Sequence, residues 1–196
     1  LDGSSQYASG TLASSASLPV TLSCWFKMAT ASRINELMSL DDGSSNGGCR
    51  INIPTGNQPR ATFGAVADYD FSSLSTLSAG TWYYLSVTFS GNGGTAVAYL
   101  GVAGTLSSQS LSIGTPSGTM DHWAVGARPD GGYTGFFAGQ IDEAQYSSSV
   151  RGSDWQTATY NNQYSPTTFA TTGTEVAVGG GPVIPVFMAR MRRMVA

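Results

Sequence analysis

Residues 81–102 read TWYYLSVTFSGNGGTAVAYLGV and contain two segments of alternating apolar and polar residues on either side of a glycine-rich turn. In the first segment apolar residues recur at every second position, the period that places side chains on one face of a β-strand. These residues are Tyr83, Leu85, Val87 and Phe89. Asn92 and Gly93 lie in the turn, and both residue types tolerate the positive φ angles of a tight turn. The stretch therefore predicts a β-hairpin with one apolar face.

Segments of the same kind recur along the chain. They lie at 18–28, 49–53, 60–71, 110–114, 122–129 and 136–148. All are short, and clusters of Gly, Ser, Asn and Asp separate them. That pattern is typical of an antiparallel β-sandwich or jelly roll, so the chain is predicted to be all-β.

One short helix is predicted near the C-terminus, at SDWQTATYNNQ, residues 153–163. Ser153 is a favourable N-cap residue, and an acidic residue such as Asp154 is favourable in the first turn. Trp155 and Ala158 are three positions apart and so share one side of the helix, which we expect to pack on the sandwich.

The composition excludes several classes of protein. Charged residues make up only 11% of the 196 residues, whereas about a quarter is usual, and the formal net charge is −3. Such a chain is a poor partner for nucleic acid, which basic surfaces bind. It contains no run of 18 apolar residues, so no membrane span is predicted. Aromatic residues make up 11%, which is sufficient to build a core.

Two cysteines lie in predicted strands with apolar neighbours at every second position, Cys24 in VTLSCWFKM and Cys49 in CRINI. One interpretation is that both are buried, unreactive thiols. The other is a disulfide between strands, which would contribute ~3 kcal/mol to stability. The residues leave both interpretations open.

Five stretches, in order along the chain, resemble the laminin-G-like family of concanavalin-A-like jelly rolls in its bacterial and viral form. They are LDGSSQYA (1–8), VTLSCWFKM (20–28), GTWYYLSVTFSG (80–91), FFAGQIDEAQYSSS (136–149) and DWQTATYNNQYSPTTF (154–169). The chain departs from the family pattern at single positions, which are Leu1, Tyr83, Ala144 and Thr159. The resemblance covers about residues 1–173 and implies a laminin-G-like β-sandwich, which we assign to residues 1–178.

The resemblance also implies a structural calcium ion. In relatives an Asp of the opening strand and the Asp of the Ile-Asp-Glu strand lie near each other, and the matching residues here are Asp2 and Asp142. Carboxylate oxygens are ligands that Ca²⁺ prefers. The alternative is that Asp2 caps a turn through DGSS, while Asp142 or Glu143 pairs with an arginine such as Arg128.

A carbohydrate site is predicted in DHWAVGARPDGGYTGFF, residues 121–137. Aromatic faces and planar polar groups hold sugars, and Trp123, Arg128, Asp130 and Tyr133 supply both within a short segment that contains an exposed turn. Loops at the end of a jelly roll are usual places for ligand contacts. Trp123 suits core packing equally well.

No enzyme is expected. Glucanases of this fold carry a Glu-x-Asp-x-x-Glu strand, whereas Asp142 and Glu143 are adjacent and so are predicted to face opposite sides of a strand. Asp68 and Asp70 have the spacing that places two carboxylates on one face, but no surrounding signature accompanies them. A glycoside hydrolase is therefore the third hypothesis for the function.

The C-terminal segment 179–196 differs from the rest. Three glycines and two prolines introduce an apolar run and a basic tip, and three of the nine basic residues lie in its last seven positions. We interpret this tail as an assembly anchor that attaches the domain to another copy or to a larger complex. The residues assigned to it are Val183, Ile184, Val186, Phe187, Met188, Arg190, Arg192 and Arg193.

The sequence therefore predicts a non-catalytic recognition module that binds a glycan or cell-surface ligand and is held in an assembly by its tail. The alternative is a structural protein of a multi-subunit assembly, such as a phage capsid decoration or tail protein or an extracellular fibre subunit. Both hypotheses place the protein at an extracellular or virion surface.

Overall fold

The protein is described by a computed structural model that covers residues 1–44, 48–64, 67–115, 119–129 and 132–169. The elements in order are β1 (Ala8–Thr11), β2 (Val20–Met28), β3 (Asn35–Asp41), β4 (Cys49–Ile53), β5 (Arg60–Phe63), β6 (Ala67–Asp70), β7 (Trp82–Phe89), β8 (Thr95–Val102), β9 (Thr105–Ser112), β10 (His122–Val125), β11 (Arg128–Pro129), β12 (Tyr133–Thr134), β13 (Gly139–Ser147), α1 (Ser153–Tyr164) and α2 (Pro166–Phe169).

Two antiparallel sheets form the sandwich. The six-stranded sheet has the order β1-β10-β3-β4-β5-β6, and the five-stranded sheet has the order β13-β2-β7-β8-β9. Strands β11 and β12 form a separate small hairpin. This arrangement confirms the predicted all-β jelly-roll sandwich with a helix near the C-terminus.

The core lies between the two sheets and is built by the alternation read from the sequence. The inward-facing apolar residues of β7, which are Tyr83, Leu85, Val87 and Phe89, are all buried, and so are the inward-facing apolar residues of β2. Phe63 of the six-stranded sheet stacks on Phe89 of the five-stranded sheet, with ring centroids 5.5 Å apart. Each such side chain contributes about 1.5–3 kcal/mol through burial.

Strand β3, NELMSLD, was not predicted from the sequence. It pairs with β10 on one side and with β4 on the other, and all seven of its residues are buried. Four of those residues are polar, so no clear apolar alternation marks the strand. The register is irregular between Glu36 and Met38, so the adjacent Leu37 and Met38 both reach the core and the period of two is broken.

The turn of the predicted hairpin is longer than the Asn-Gly pair suggests. The strands end at Phe89 and resume at Thr95, and Ser90 and Thr95 close the loop through the Ser90 N–H to the Thr95 carbonyl at 2.9 Å. Gly93 has a φ of 64°, whereas Asn92 has no positive φ.

Helix α1 confirms the predicted helix, but the side that packs on the sandwich is not the predicted side of Trp155 and Ala158. Its N-cap is Gly152, without a side-chain hydrogen bond. The buried residues are Gln156 and Tyr160, whereas Ala158 is exposed and Trp155 is only half-buried. The helix is therefore held by hydrogen-bonding and aromatic side chains, which is why an apolar pattern did not identify its inner side.

Both cysteines are free thiols buried in the core, and this corrects the disulfide alternative. Cys24 lies on β2 and Cys49 on β4, in opposite sheets. The Cys49 sulfur contacts the sulfur of Met120 at 3.8 Å. Burial raises the pKa of both thiols well above the usual value, so both are unreactive.

The outer face of the six-stranded sheet carries buried polar side chains. Glu36 is 1% exposed, and its backbone N–H donates to the Gly135 carbonyl at 3.0 Å. Arg128 of β11 approaches the Glu36 carboxylate at 3.9 Å. Burial raises the pKa of Glu36 to about 7, although the charges of Arg50 and Arg128 act in the opposite direction.

Residues 170–196, with all the residues assigned to the tail, lie outside the described residues. The division into a domain and a docking tail therefore stays a prediction. In the part of the chain that the structure describes, no helix combines the length and the apolar character needed to cross a membrane.

Removal of residues 179–196 is expected to leave a folded domain, because the buried core residues of the described part lie between positions 20 and 160. We expect residues 1–178 to melt close to the full chain by circular dichroism. Residues 1–152, which lack α1, should melt clearly lower. Light scattering should give a monomer for residues 1–178 and a larger mass for the full chain. An unfolded or insoluble 1–178 fragment would contradict the domain boundary.

The raised pKa of Glu36 makes stability depend on pH. Because its folded-state pKa lies above the ordinary value of 4.5, its contribution is fully present below that value and is lost as the pH rises through about 7. Glu36→Gln should therefore reduce the loss of unfolding free energy between about pH 5 and about pH 8, by up to about 3 kcal/mol. Urea unfolding at both pH values measures this.

The exposed carboxylate of Asp154 supplies the control for that experiment. Asp154→Asn should keep the pH dependence of the wild-type chain, because its side chain is solvated in the folded state. If Glu36→Gln shows the same pH dependence as the wild type, Glu36 does not titrate in this range.

Candidate ligand-binding groove

Helix α1 packs on the outer face of the five-stranded sheet and leaves an open groove of about 450 Å³ beside it. The groove is lined by side chains from β2, β7, β13 and the end of α1. These are Trp25, Trp82, Asp142, Glu143, Gln163 and Tyr164. We refer to this feature as the aromatic groove.

Strand alternation places the two tryptophans in the groove. Trp25 lies between the buried Cys24 and Phe26 on β2, so its side chain projects from the outer face. Trp82 precedes the buried Tyr83 at the start of β7 and is 38% exposed. Large aromatic side chains on a sheet surface supply apolar contact area that a ligand can cover.

An aromatic stack fixes the wall on the α1 side. Trp25 stacks on Tyr160 at 5.6 Å between centroids, and Tyr160 stacks on Tyr164 at 5.4 Å, both with an interplanar angle of 16°. The Trp25 indole N–H donates to the side-chain oxygen of Gln163. Tyr164 at the outer end of this stack is 47% exposed. The rings are therefore held in place before any ligand arrives.

The helix itself is anchored through Tyr160. A side chain at Gly101 of β8 would overlap the Tyr160 ring, so the glycine lets the ring lie directly on the sheet. The Tyr160 hydroxyl accepts the backbone N–H of Gly104 at 2.9 Å. Gln156 lies one turn before Tyr160 in the helix, and its side-chain oxygen accepts a hydrogen bond from the Tyr84 hydroxyl at 2.8 Å.

The acidic side of the groove is formed by an irregularity in β13. Asp142 pairs with Trp25 of β2, and the register shifts between Asp142 and Gln145. Glu143 has a φ of 50°, an unfavourable value for a residue with a side chain, with a cost of roughly 1–3 kcal/mol. Its backbone N–H donates to Asp142 Oδ1 at 2.9 Å.

Because of this bulge, Asp142 and Glu143 both line the groove. Adjacent residues of a regular strand would face opposite sides, as the sequence predicted. The expectation of opposite faces is therefore wrong for this pair.

The two residues assigned to calcium are in different surroundings. Asp2 Oδ1 accepts the backbone N–H groups of Ser4, Ser5 and Gln6 at 2.9–3.0 Å, and these bonds hold the pKa of Asp2 far below its usual range. Asp2 bridges to Ala138, four residues before Asp142 along the chain, which corresponds to ~13 Å along a strand.

These two carboxylates therefore do not fit as ligands of one shared ion. Asp2 serves as the turn cap that was the alternative. The described residues contain no group of three or more His, Cys, Asp or Glu side chains arranged to hold a metal. Calcium binding stays a prediction.

The residues predicted to bind carbohydrate have different neighbours in the structure and do not form one described site. Trp123 is half-buried and packs against the core, while Tyr133 stacks on Tyr7 with centroids 4.0 Å apart. Arg128 donates to the Thr134 hydroxyl at 3.1 Å and approaches Glu36, and no ion pair between described residues joins it to Asp142 or Glu143. Asp130 lies outside the described residues.

Reasoning from the sequence did not identify most of the aromatic groove. Trp25 and Trp82 carry a usable signal, because each lies next to strand residues predicted to face inward. Gln163 and Tyr164 carry none, because their position depends on how α1 docks.

The family model described as the concanavalin A-like lectin/glucanases superfamily matches residues 2–155. A search of curated protein sequences found no match to the chain.

Several solved structures share the fold at low sequence identity. The heptameric SAP-like pentraxin from Limulus polyphemus is 13% identical with a TM-score of 0.55, over 74% of this chain and 72% of that one. The CBM40 of Ruminococcus gnavus IT-sialidase, bound to α2,3-sialyllactose, is 14% identical with a TM-score of 0.56, over 74% and 83%. Domains LG4-5 of the mouse laminin α1 chain are 16% identical with a TM-score of 0.55, over 74% and 39%.

Asp2→Ala should lower the midpoint of urea unfolding in the presence of a chelator, because the substitution removes the acceptor of three backbone N–H groups. Asp2→Asn, which retains an acceptor oxygen, is the matched control and should lose less. Repeating the titration with added Ca²⁺ separates the two roles. If Ca²⁺ stabilises the wild type and Asp2→Ala and Asp142→Ala each abolish that effect, the two residues ligate calcium and the conclusion drawn from their separation is wrong.

Proposed function

The chain belongs to the concanavalin A-like lectin/glucanases superfamily, and we propose that it is a non-catalytic carbohydrate-binding module whose binding surface is the aromatic groove. The supporting observation is that exposed aromatic rings and fixed polar groups line one groove.

The chemistry of the groove suits a sugar. The C–H face of a pyranose ring is apolar and packs on an aromatic ring such as Trp82, while its hydroxyl groups need hydrogen-bond partners. Carboxylates accept hydrogen bonds, and the Gln163 side chain can both donate and accept. A volume of about 450 Å³ lies in the usual range for small-molecule sites and holds one or two sugar units.

The comparisons support the proposal at the level of the fold. The Ruminococcus gnavus CBM40 is bound to a sialylated sugar, and it shares the sandwich with this chain at 14% identity. Because one fold hosts many functions, the groove residues carry the proposal.

The arrangement of acids favours binding over hydrolysis. Hydrolysis of a glycosidic bond with retention requires two carboxyl groups on either side of the bond. Within the described lining, the acids of the groove are Asp142 and Glu143, neighbours on a single edge strand. The carboxyl group with a strongly raised pKa, Glu36, is buried on the other sheet and does not line the groove.

The proposal places the protein at an extracellular or virion surface, where glycans are displayed. Attachment to an assembly depends on residues 179–196 and stays a prediction, as does the alternative of a structural subunit.

Trp82→Ala should weaken glycan binding about tenfold or more, because it removes a large exposed ring from the groove. A glycan array with the full chain identifies a ligand, and calorimetry then compares the variants. The matched control is Trp155→Ala. Trp155 is a half-buried tryptophan on α1 that contacts Arg151 and does not line the groove. Equal losses in both variants, or no glycan bound by the wild type, would contradict the proposal.

A further inference from the structure

The charge of the aromatic groove indicates which glycans it accepts. Its described lining contains two carboxylates, Asp142 and Glu143, and no basic residue. Lys27 of β2 pairs in register with Trp82 and so lies beside the groove. The whole chain is acidic as well, with a formal net charge of −3.

The structure already contains one ammonium group against a groove ring. The Lys27 Nζ atom lies 5.3 Å from the centre of the Trp82 ring. An aromatic face attracts a cation because its π-electrons make that face negative. Lys27 already occupies one face of Trp82, so an ammonium group from a ligand finds its favourable partners in the carboxylates of β13 and in the exposed ring of Tyr164.

The backbone that carries the two carboxylates is held by the bulge. Asp142 accepts the Glu143 backbone N–H, and the bulge holds Glu143 in a left-handed conformation that directs both residues to the same groove. Ionised carboxylates only accept hydrogen bonds, whereas an ammonium group offers three donors. Hydrogen bonds between such charged partners are about twice as strong as those between neutral ones.

We propose that the aromatic groove selects glycans that carry a free, protonated amino group, such as oligomers of glucosamine. This inference rests on the proposed function and specifies its ligand. An N-acetylated sugar loses the positive charge and keeps only neutral contacts. An acidic sugar brings a carboxylate towards Asp142 and Glu143, and like charges in a groove disfavour binding.

The expected ligand differs in charge from the ligand of a structure that shares this fold. The Ruminococcus gnavus CBM40 is bound to α2,3-sialyllactose, which carries a carboxylate. The groove described here is acidic, so we expect that ligand to be rejected.

Calorimetry with the full chain at a mildly acidic pH tests the proposal with three probes, which are a glucosamine trimer, its fully N-acetylated counterpart and 3′-sialyllactose. We expect the glucosamine trimer to bind about tenfold tighter than the N-acetylated trimer. Sialyllactose should show no binding. Added salt should weaken the binding of the glucosamine trimer selectively.

Neutral amide variants locate the effect. Asp142→Asn and Glu143→Gln, made singly and together, keep the size and acceptor oxygens of the side chains and should reduce the preference to about twofold or less. Asp154→Asn removes an exposed carboxylate outside the groove and should keep the full preference. Circular dichroism checks that each variant is folded, and the single variants serve if the double variant is not.

The outcomes distinguish this inference from the proposed function. If the N-acetylated trimer or sialyllactose binds as tightly as the glucosamine trimer and Trp82→Ala abolishes that binding, the groove binds glycans and the charge preference is wrong. If the glucosamine trimer binds equally well to the amide variants, the cation lies elsewhere and the inference is also wrong. If no probe and no arrayed glycan binds, both the inference and the proposed function fail.

Discussion

The aromatic groove depends on the packing of the Tyr160 ring against the five-stranded sheet. The ring lies over Gly101, its hydroxyl accepts the Gly104 N–H, and its faces stack on Trp25 and Tyr164. A helix of 12 residues is marginal by itself in water, so its position is set by such contacts. Because Tyr160 holds α1 at this place, Gln163 one turn later reaches the Trp25 indole. Without this contact, Trp25 and Trp82 would lie on an open face of the sheet and no groove would form.

A second constraint acts on the opposite wall. Among the described residues β13 is an edge strand that pairs with β2 alone, and edge strands tolerate bulges that would disrupt a central strand. The bulge costs backbone energy at Glu143 and lets two neighbouring acidic residues line the same groove as Trp25 and Trp82. A regular strand would be more favourable locally and would turn one of these carboxylates away. Strain of this kind tends to be retained where it positions a functional group.

Much of the fold could be predicted from the sequence, and the groove could not. Strands β2 and β7 are mostly buried on both faces, but polar residues such as Ser86 and Thr88 occupy outward positions, so the alternation of apolar residues stays clear in the sequence. Strand β3 has an irregular register between Glu36 and Met38, and the adjacent Leu37 and Met38 both reach the core, so alternation fails there. The inner side of α1 was misjudged because Gln156 and Tyr160 are buried through hydrogen bonds and stacking, which leave no apolar pattern. The bulge at Glu143 reversed a side chain that strand geometry assigned to the other face.

The location of the groove has a consequence for how the protein combines stability and specificity. The core between the sheets rests on inward side chains such as Phe26 of β2 and Phe89 of β7, and the groove uses outward side chains of the same two strands, Trp25 and Trp82. Since successive strand residues point to opposite faces, a substitution at Trp82 or Asp142 changes the surface without opening a cavity in the core. Trp25 is the exception, because it is hydrogen-bonded to Gln163 of α1 and stacked on Tyr160. It therefore both lines the groove and holds the helix on the sheet. Variation in ligand preference is therefore easiest at the rim formed by Trp82, Asp142 and Glu143, and most restricted at Trp25.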